Sequence, residues 1–146
     1  MKSTFRLSLI LFTAAVFIIS GCKKSDSCNG VPNVAVNFTV DPTTVGYNPL
    51  LVTGGTMVVT GGYDNILLYR YTVSQLNAFD CCCPYDGASN AKAIVQIQAN
   101  KITATCPVCG SSFLLADGSV NHGPATCGLK KYNTTYDGVS TFNVSN

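Results

Sequence analysis

Cys83-Pro84-Tyr85-Asp86-Gly87 and Cys106-Pro107-Val108-Cys109-Gly110-Ser111 set the terms on which the rest of the chain is read. Each starts at a Cys-Pro pair and reaches a Gly four residues after its Cys. Two residues between donors let both side chains of such a knuckle face one tetrahedral ion, and the Gly eases the tight turn that follows. The second stretch is a C-x-x-C knuckle; the first has Asp86 in the last donor place. Cys83, Asp86, Cys106 and Cys109 have a two-residue gap in each half and nineteen residues between the halves. That lies within zinc-ribbon spacing, and Asp is a permitted if less common zinc ligand. Other readings stay open. Asp86-Gly87 is also an ordinary turn pair. In an exported protein the knuckle also reads as a disulfide, within itself or to one of Cys81–Cys83, or as a redox-active C-x-x-C.

Between the two loops, Ala93–Gln98 and Lys101–Thr105 read as a hairpin turning at Ala99-Asn100. Loops at the base of one hairpin lie side by side, so their cysteines are placed to converge. Cys81, Cys82 and Cys83 cannot all do so. In an extended segment Cys81 and Cys83 face one way and Cys82 the other, so one of them is expected in the core or paired elsewhere, for instance with Cys127 or Cys28. His122, the one imidazole, sits in the turn-like stretch Asn121-His122-Gly123-Pro124-Ala125 and reads as solvent-facing.

Outside the loops, β signals dominate. Val34, Val36, Phe38 and Val40 alternate with smaller or more polar residues, the period of a half-buried strand. Met57–Thr60, Ile66–Tyr71, Ser112–Leu115, Lys131–Thr135 and Ser140–Val144 are further strand candidates. Turn pairs such as Gly54-Gly55, Gly61-Gly62, Asp117-Gly118 and Asp137-Gly138 punctuate them. No stretch after the N-terminal segment keeps an apolar helical period over three turns. Short strands at roughly ten-residue spacing predict an all-β fold, a small antiparallel sandwich or barrel.

The N-terminus reads differently. Lys2 and Arg6 precede an apolar run from Leu7 to Ile19, then Ile19-Ser20-Gly21-Cys22. A charged start, a short apolar core and small residues make a secretory signal, too short for a comfortable membrane span. The ending resembles a bacterial lipobox, which implies cleavage before Cys22 and lipid on its sulfur. The expected organisation is a signal peptide over 1–21, a lipidated tether over 22–30 and one domain over 31–146. The expected address is the cell envelope, attached to the membrane through the lipid. Lys23 after the lipidated Cys favours the outer membrane. Past the signal, seven Lys and Arg balance seven Asp, so no basic surface argues for nucleic acid. With no Glu and one His, general acid–base chemistry has little to draw on, and the chain reads as no enzyme in itself.

The run from Ile66 to Tyr132 resembles Rieske-fold proteins, especially the small Rieske-like lipoproteins of Bacteroidetes-type bacteria. The residues that carry the likeness begin with Leu67-Leu68-Tyr69-Arg70 and with Asn77-Ala78-Phe79-Asp80 ahead of Cys83-Pro84. They continue through Cys106 to Phe113 and Asp117-Gly118, then Gly123-Pro124-Ala125 ahead of Leu129-Lys130-Lys131-Tyr132. The resemblance covers most of 31–146. It implies a Rieske-like sandwich with a cluster-binding hairpin subdomain, a [2Fe–2S] cofactor, and single-electron transfer with a redox partner protein that the sequence leaves unnamed. The family holds its cluster through C-x-H and C-x-x-H, two Cys on one iron and two His on the other. Cys83 and Cys106 fall on the Cys places. Tyr85 and Cys109 fall on the His places, so both histidines are replaced. Cys81, Cys82 and Asp86 are easier replacements than Tyr85, whose phenol has to lose a proton of pKa about 10. Three states follow: a cluster with altered ligands, a single zinc or iron ion, or a metal-free module stapled by disulfides. Three functions are open: an electron carrier, a structural or binding module that is zinc-bound or metal-free and stapled by disulfides, and a thiol-redox protein using Cys106 and Cys109.

Overall fold

A computed structural model describes residues 30–146. The expected signal peptide, the lipid site Cys22 and Cys28 lie outside the described residues. Among those described there is no α-helix, and no helix is long and apolar enough to cross a membrane. The expected all-β antiparallel architecture is what the structure shows, as two sheets.

The larger sheet has six strands: β1 (Asn37–Val40), β2 (Thr56–Val59), β3 (Ile66–Thr72), β4 (Gln75–Asp80), β9 (Lys131–Tyr136) and β10 (Phe142–Ser145), in the order β1-β10-β9-β4-β3-β2. The smaller has four: β5 (Gln96–Ile97), β6 (Thr103–Thr105), β7 (Ser112–Leu114) and β8 (Val120–His122), in sequential order. Every pairing is antiparallel.

The central hairpin β3–β4 has a buried core on each face. Successive side chains on a strand alternate faces. Ile66, Leu68, Leu76 and Ala78 go inward with Val40, Leu50, Tyr132, Phe142 and Val144, enclosed by the large sheet. Leu67 and Phe79, opposite one another in register, go outward to Ala104 and Phe113 of the small sheet and to Leu115 just beyond β7. Asn77 also faces outward and donates to the Leu115 and Ala116 carbonyls, at 3.3 and 2.6 Å. Gly118 completes the clasp. It sits at φ +82°, and a Cβ there would lie 2.6 Å from Cε1 of Phe79.

Two expectations need correction. The hairpin between the loops does not turn on two residues. Only Gln96–Ile97 pairs with β6, and the turn is wider, with Lys101 at φ +55° and Asn100 Oδ1 accepting the Ile102 and Thr103 N–H groups. Residues 93–95 instead pair with the first cysteine segment: Cys83 N–H donates to Ala93 O, Val95 N–H to Cys81 O, and Cys82 bridges Ile94. The stretch around His122 is not all turn: Val120–His122 forms the exposed edge strand β8.

Candidate metal centre

The first loop grows out of β4, and a buried carboxylate fixes where it starts. Asp80 Oδ2 accepts the Tyr132 hydroxyl at 2.6 Å and the Tyr63 N–H at 2.7 Å; Oδ1 accepts the Cys82 N–H at 2.9 Å and the Asp64 N–H at 3.2 Å. Burial, and the bond its hydroxyl gives Asp80, push the Tyr132 phenol above its usual range. The extended run beyond Asp80 then alternates as its geometry requires. Cys81 and Cys83 enter the core under the small sheet. Cys82 points the other way, towards the Asp64 carboxylate.

Past Cys83 the backbone makes one turn twice. Gly87 N–H donates to Cys83 O at 2.7 Å with Gly87 at φ +59°. Gly110 N–H donates to Cys106 O at 3.0 Å with Gly110 at φ +76°. Both glycines occupy left-handed backbone that other residues enter only at a cost. The N–H groups of Tyr85 and Asp86 point at the Cys83 sulfur, and those of Val108 and Cys109 at the Cys106 sulfur. Such donors stabilise a thiolate once a cation has displaced its proton.

The two turns converge. One ligand atom each from Cys83, Asp86, Cys106 and Cys109 lies within 4.8 Å of every other. Cys83 Sγ is 3.7 Å from Cys109 Sγ, and Cys106 Sγ is 3.4 Å from Asp86 Oδ2. A tetrahedral ion with bonds of about 2.3 Å to sulfur and about 2.0 Å to oxygen sets an S–S edge of about 3.8 Å and an S–O edge of about 3.5 Å. The two contacts match these as opposite edges of one tetrahedron. Burial pushes the Cys83 and Cys106 thiols above their ordinary values, only partly offset by the backbone donors, so both keep their protons at neutral pH before metal enters.

The other candidates are placed elsewhere. Tyr85, 45% exposed, lies on the rim across from Val108, its counterpart in the second turn, which is 44% exposed. The Cys81 and Cys82 thiols are pushed up to about 12, mainly by burial. Both are free, so Cys82 is not paired with Cys127, which is itself disulfide-bonded. The sequence reading missed the supporting residues. Ser111, fully buried, places its hydroxyl 3.1 Å from Cys109 Sγ and accepts the Ala125 N–H at 2.8 Å. That bond fastens the Gly123-Pro124-Ala125 loop to the second turn. Asp80 and Tyr132 had no local signal; they are 52 residues apart in sequence.

A two-iron core does not fit this donor set. Such a core takes two ligands on each iron, and the pairs stand apart by the width of the iron–sulfide rhomb. Here all four donors close on one point. Neither imidazole is present, and the thiol of Cys82 is turned away. The donors suit one zinc or iron ion.

No protein-family profile and no curated protein matches the chain. Among solved structures, it is similar to the ferredoxin of carbazole 1,9a-dioxygenase from Nocardioides aromaticivorans, at 16% identity and a TM-score of 0.48, over 77% of this chain and 97% of that one. It is similar also to a proposed NADH-dependent nitrite reductase small subunit from Mycobacterium tuberculosis, at 20% identity and 0.46, over 78% and 97%. The third is the E. coli protein NirD, at 13% identity and 0.45, over 76% and 98%.

Proposed function

We propose that this chain is a lipid-anchored electron carrier of the cell envelope: a Rieske-like sandwich whose two loops hold one iron ion on Cys83, Cys106, Cys109 and Asp86 in place of a two-iron cluster. The observation that carries the reading is the pair of opposite contacts, 3.7 Å between two sulfurs and 3.4 Å between sulfur and carboxylate, made by two copies of one turn. The sequence resemblance across Ile66–Tyr132 supports the Rieske-like part.

Thiolate-bound iron supplies a single-electron couple. The chain's residues do the rest. Cys83 and Cys106, each met by two backbone donors, are the fixed anchors. Cys109 and Asp86 are half-buried and form the outward edge, beside the exposed Tyr85 and Val108. Asp86 puts a hard oxygen among three soft sulfurs, which suits iron or zinc and disfavours copper(I). A purely structural zinc is the weaker reading. Small domains use one where a hydrophobic core is lacking, and this fold has a buried core on each face of β3–β4.

Iron-loaded protein should show thiolate-to-iron charge-transfer absorption that bleaches on adding one electron per chain and returns on reoxidation. A protein that takes up zinc but gives no reducible iron form would sink the carrier reading. The anchor rests on Ile19-Ser20-Gly21-Cys22. Wild-type protein should incorporate labelled palmitate and sediment with outer membranes, whereas Cys22→Ala should be unlabelled and soluble after export. Unlabelled wild-type protein would refute the anchor alone.

A further inference from the structure

We propose that Cys83 and Cys109 form a reversible dithiol–disulfide couple that reduces peroxides when the site is free of metal. The proposal rests on the metal-site reading only for its consequence, that oxidation and metal binding exclude one another. The couple itself follows from the thiols.

The two sulfurs are 3.7 Å apart, across two different loops, and a disulfide needs about 2.05 Å. Closing that gap moves turns, not strands. Cys109 precedes Gly110, whose surroundings are open, with nothing within 4 Å of where a Cβ would stand. The pair is asymmetric in access. Cys109 is half-buried and reachable from solvent; Cys83 is fully buried directly beneath it. A reactive thiol at the surface with a resolving thiol in contact behind it is the arrangement that oxidation to a disulfide requires. The remaining thiols are not so placed. Cys81 sits in the core and Cys82 is turned to Asp64. Cys106 also neighbours both sulfurs, but its thiol is given to the Asp86 carboxylate at 3.4 Å.

In the first step the Cys109 sulfur attacks one peroxide oxygen. The O–O bond breaks, a sulfenic acid forms on Cys109, and the other oxygen leaves as water with the thiol proton. In the second, the Cys83 sulfur attacks the Cys109 sulfur. The S–S bond forms, the S–O bond breaks, and a second water leaves with the Cys83 proton. Two thiols have lost two electrons and one peroxide has gained them. A dithiol reductant in the envelope returns the pair to thiols. In the disulfide two of the four metal donors are consumed, and Cys106 with Asp86 cannot hold an ion alone.

The test uses the full chain, reduced, either stripped with a chelator or loaded with zinc, and treated with hydrogen peroxide. Peptide mapping without reduction should find Cys83 joined to Cys109 in the stripped protein, with zinc slowing bridging at least tenfold. The Cys83→Ser variant should accumulate a sulfenic acid on Cys109 that dimedone traps. A Cys106–Cys109 bridge, or over-oxidation of Cys109 in the wild-type chain without any bridge, overturns the proposal. The two readings fail separately. A Cys83–Cys109 bridge in protein that binds no metal leaves the couple standing and removes the metal site. One ion per chain with no such bridge does the reverse.

Discussion

Zinc affinity should climb steeply with pH, because two of the four donors enter the complex by losing a proton. Burial holds the Cys83 and Cys106 thiols up, so both carry protons through the neutral range in the metal-free protein. Only the thiolate ligates. Each proton displaced makes the apparent binding constant tenfold larger per pH unit, about 1.4 kcal/mol. Two such thiols give about a hundredfold per unit, or roughly ten-thousandfold between pH 6 and 8. The sign is fixed: affinity is highest at high pH and is lost as pH falls. The assay is competition against a chromophoric chelator, corrected for its own protonation at each pH, with protons released on zinc addition counted in weak buffer. About two or more protons should appear per ion. A tenfold slope or less, with one proton or fewer released, would refute the assignment of both buried sulfurs as ligands.

Three further outcomes follow from the fold. Cys81 and Cys82 titrate near 12 when folded and near 8.5 when unfolded, so the unfolded chain loses those protons first. Stability should therefore be fully present below about pH 8.5 and fall as pH rises towards 12, by about 1.4 kcal/mol per pH unit from Cys81 alone; urea midpoints at pH 8 and 10 that coincide would contradict this. Tyr132→Phe removes one of four donors to the buried Asp80 carboxylate and should cost about 1.5–3 kcal/mol of unfolding free energy, read by denaturant titration at pH 7. Gly118→Ala should cost about 2–5 kcal/mol, adding collision with the Phe79 ring to left-handed strain. Gly110→Ala, with the same strain and open space, should cost only about 1–2 kcal/mol; equal losses would mean that the Phe79 contact is unimportant.

The knuckles were legible because their signal is local. Two-residue gaps and a following Gly decide where Cys83, Asp86, Cys106 and Cys109 point, whatever surrounds them. β4 escaped for the opposite reason. Gln75–Asp80 alternates polar and apolar only as far as Ala78 and breaks at Phe79, because both of its faces are buried: Leu76 and Ala78 in one core, Phe79 in the other, Asn77 held by carbonyls. A period of two is cut short when both phases point inward. β8 was hidden by its size, three exposed-to-half-buried residues at an edge before Gly-Pro. Residues 93–95 have ordinary strand character, and sequence alone does not say that their partner is the segment at Cys81–Cys83 and not Lys101–Thr105. The four-donor cage around Asp80 depends on pairing β4 with β9, a long-range choice with no trace in composition.

The central claim is that one ion, not a cluster, belongs between the two turns. The most direct measurement is iron, zinc and acid-labile sulfide per chain in protein purified without oxygen from the cells that make it. One metal ion per chain and no sulfide is the predicted result. Two irons with two sulfides would contradict the account.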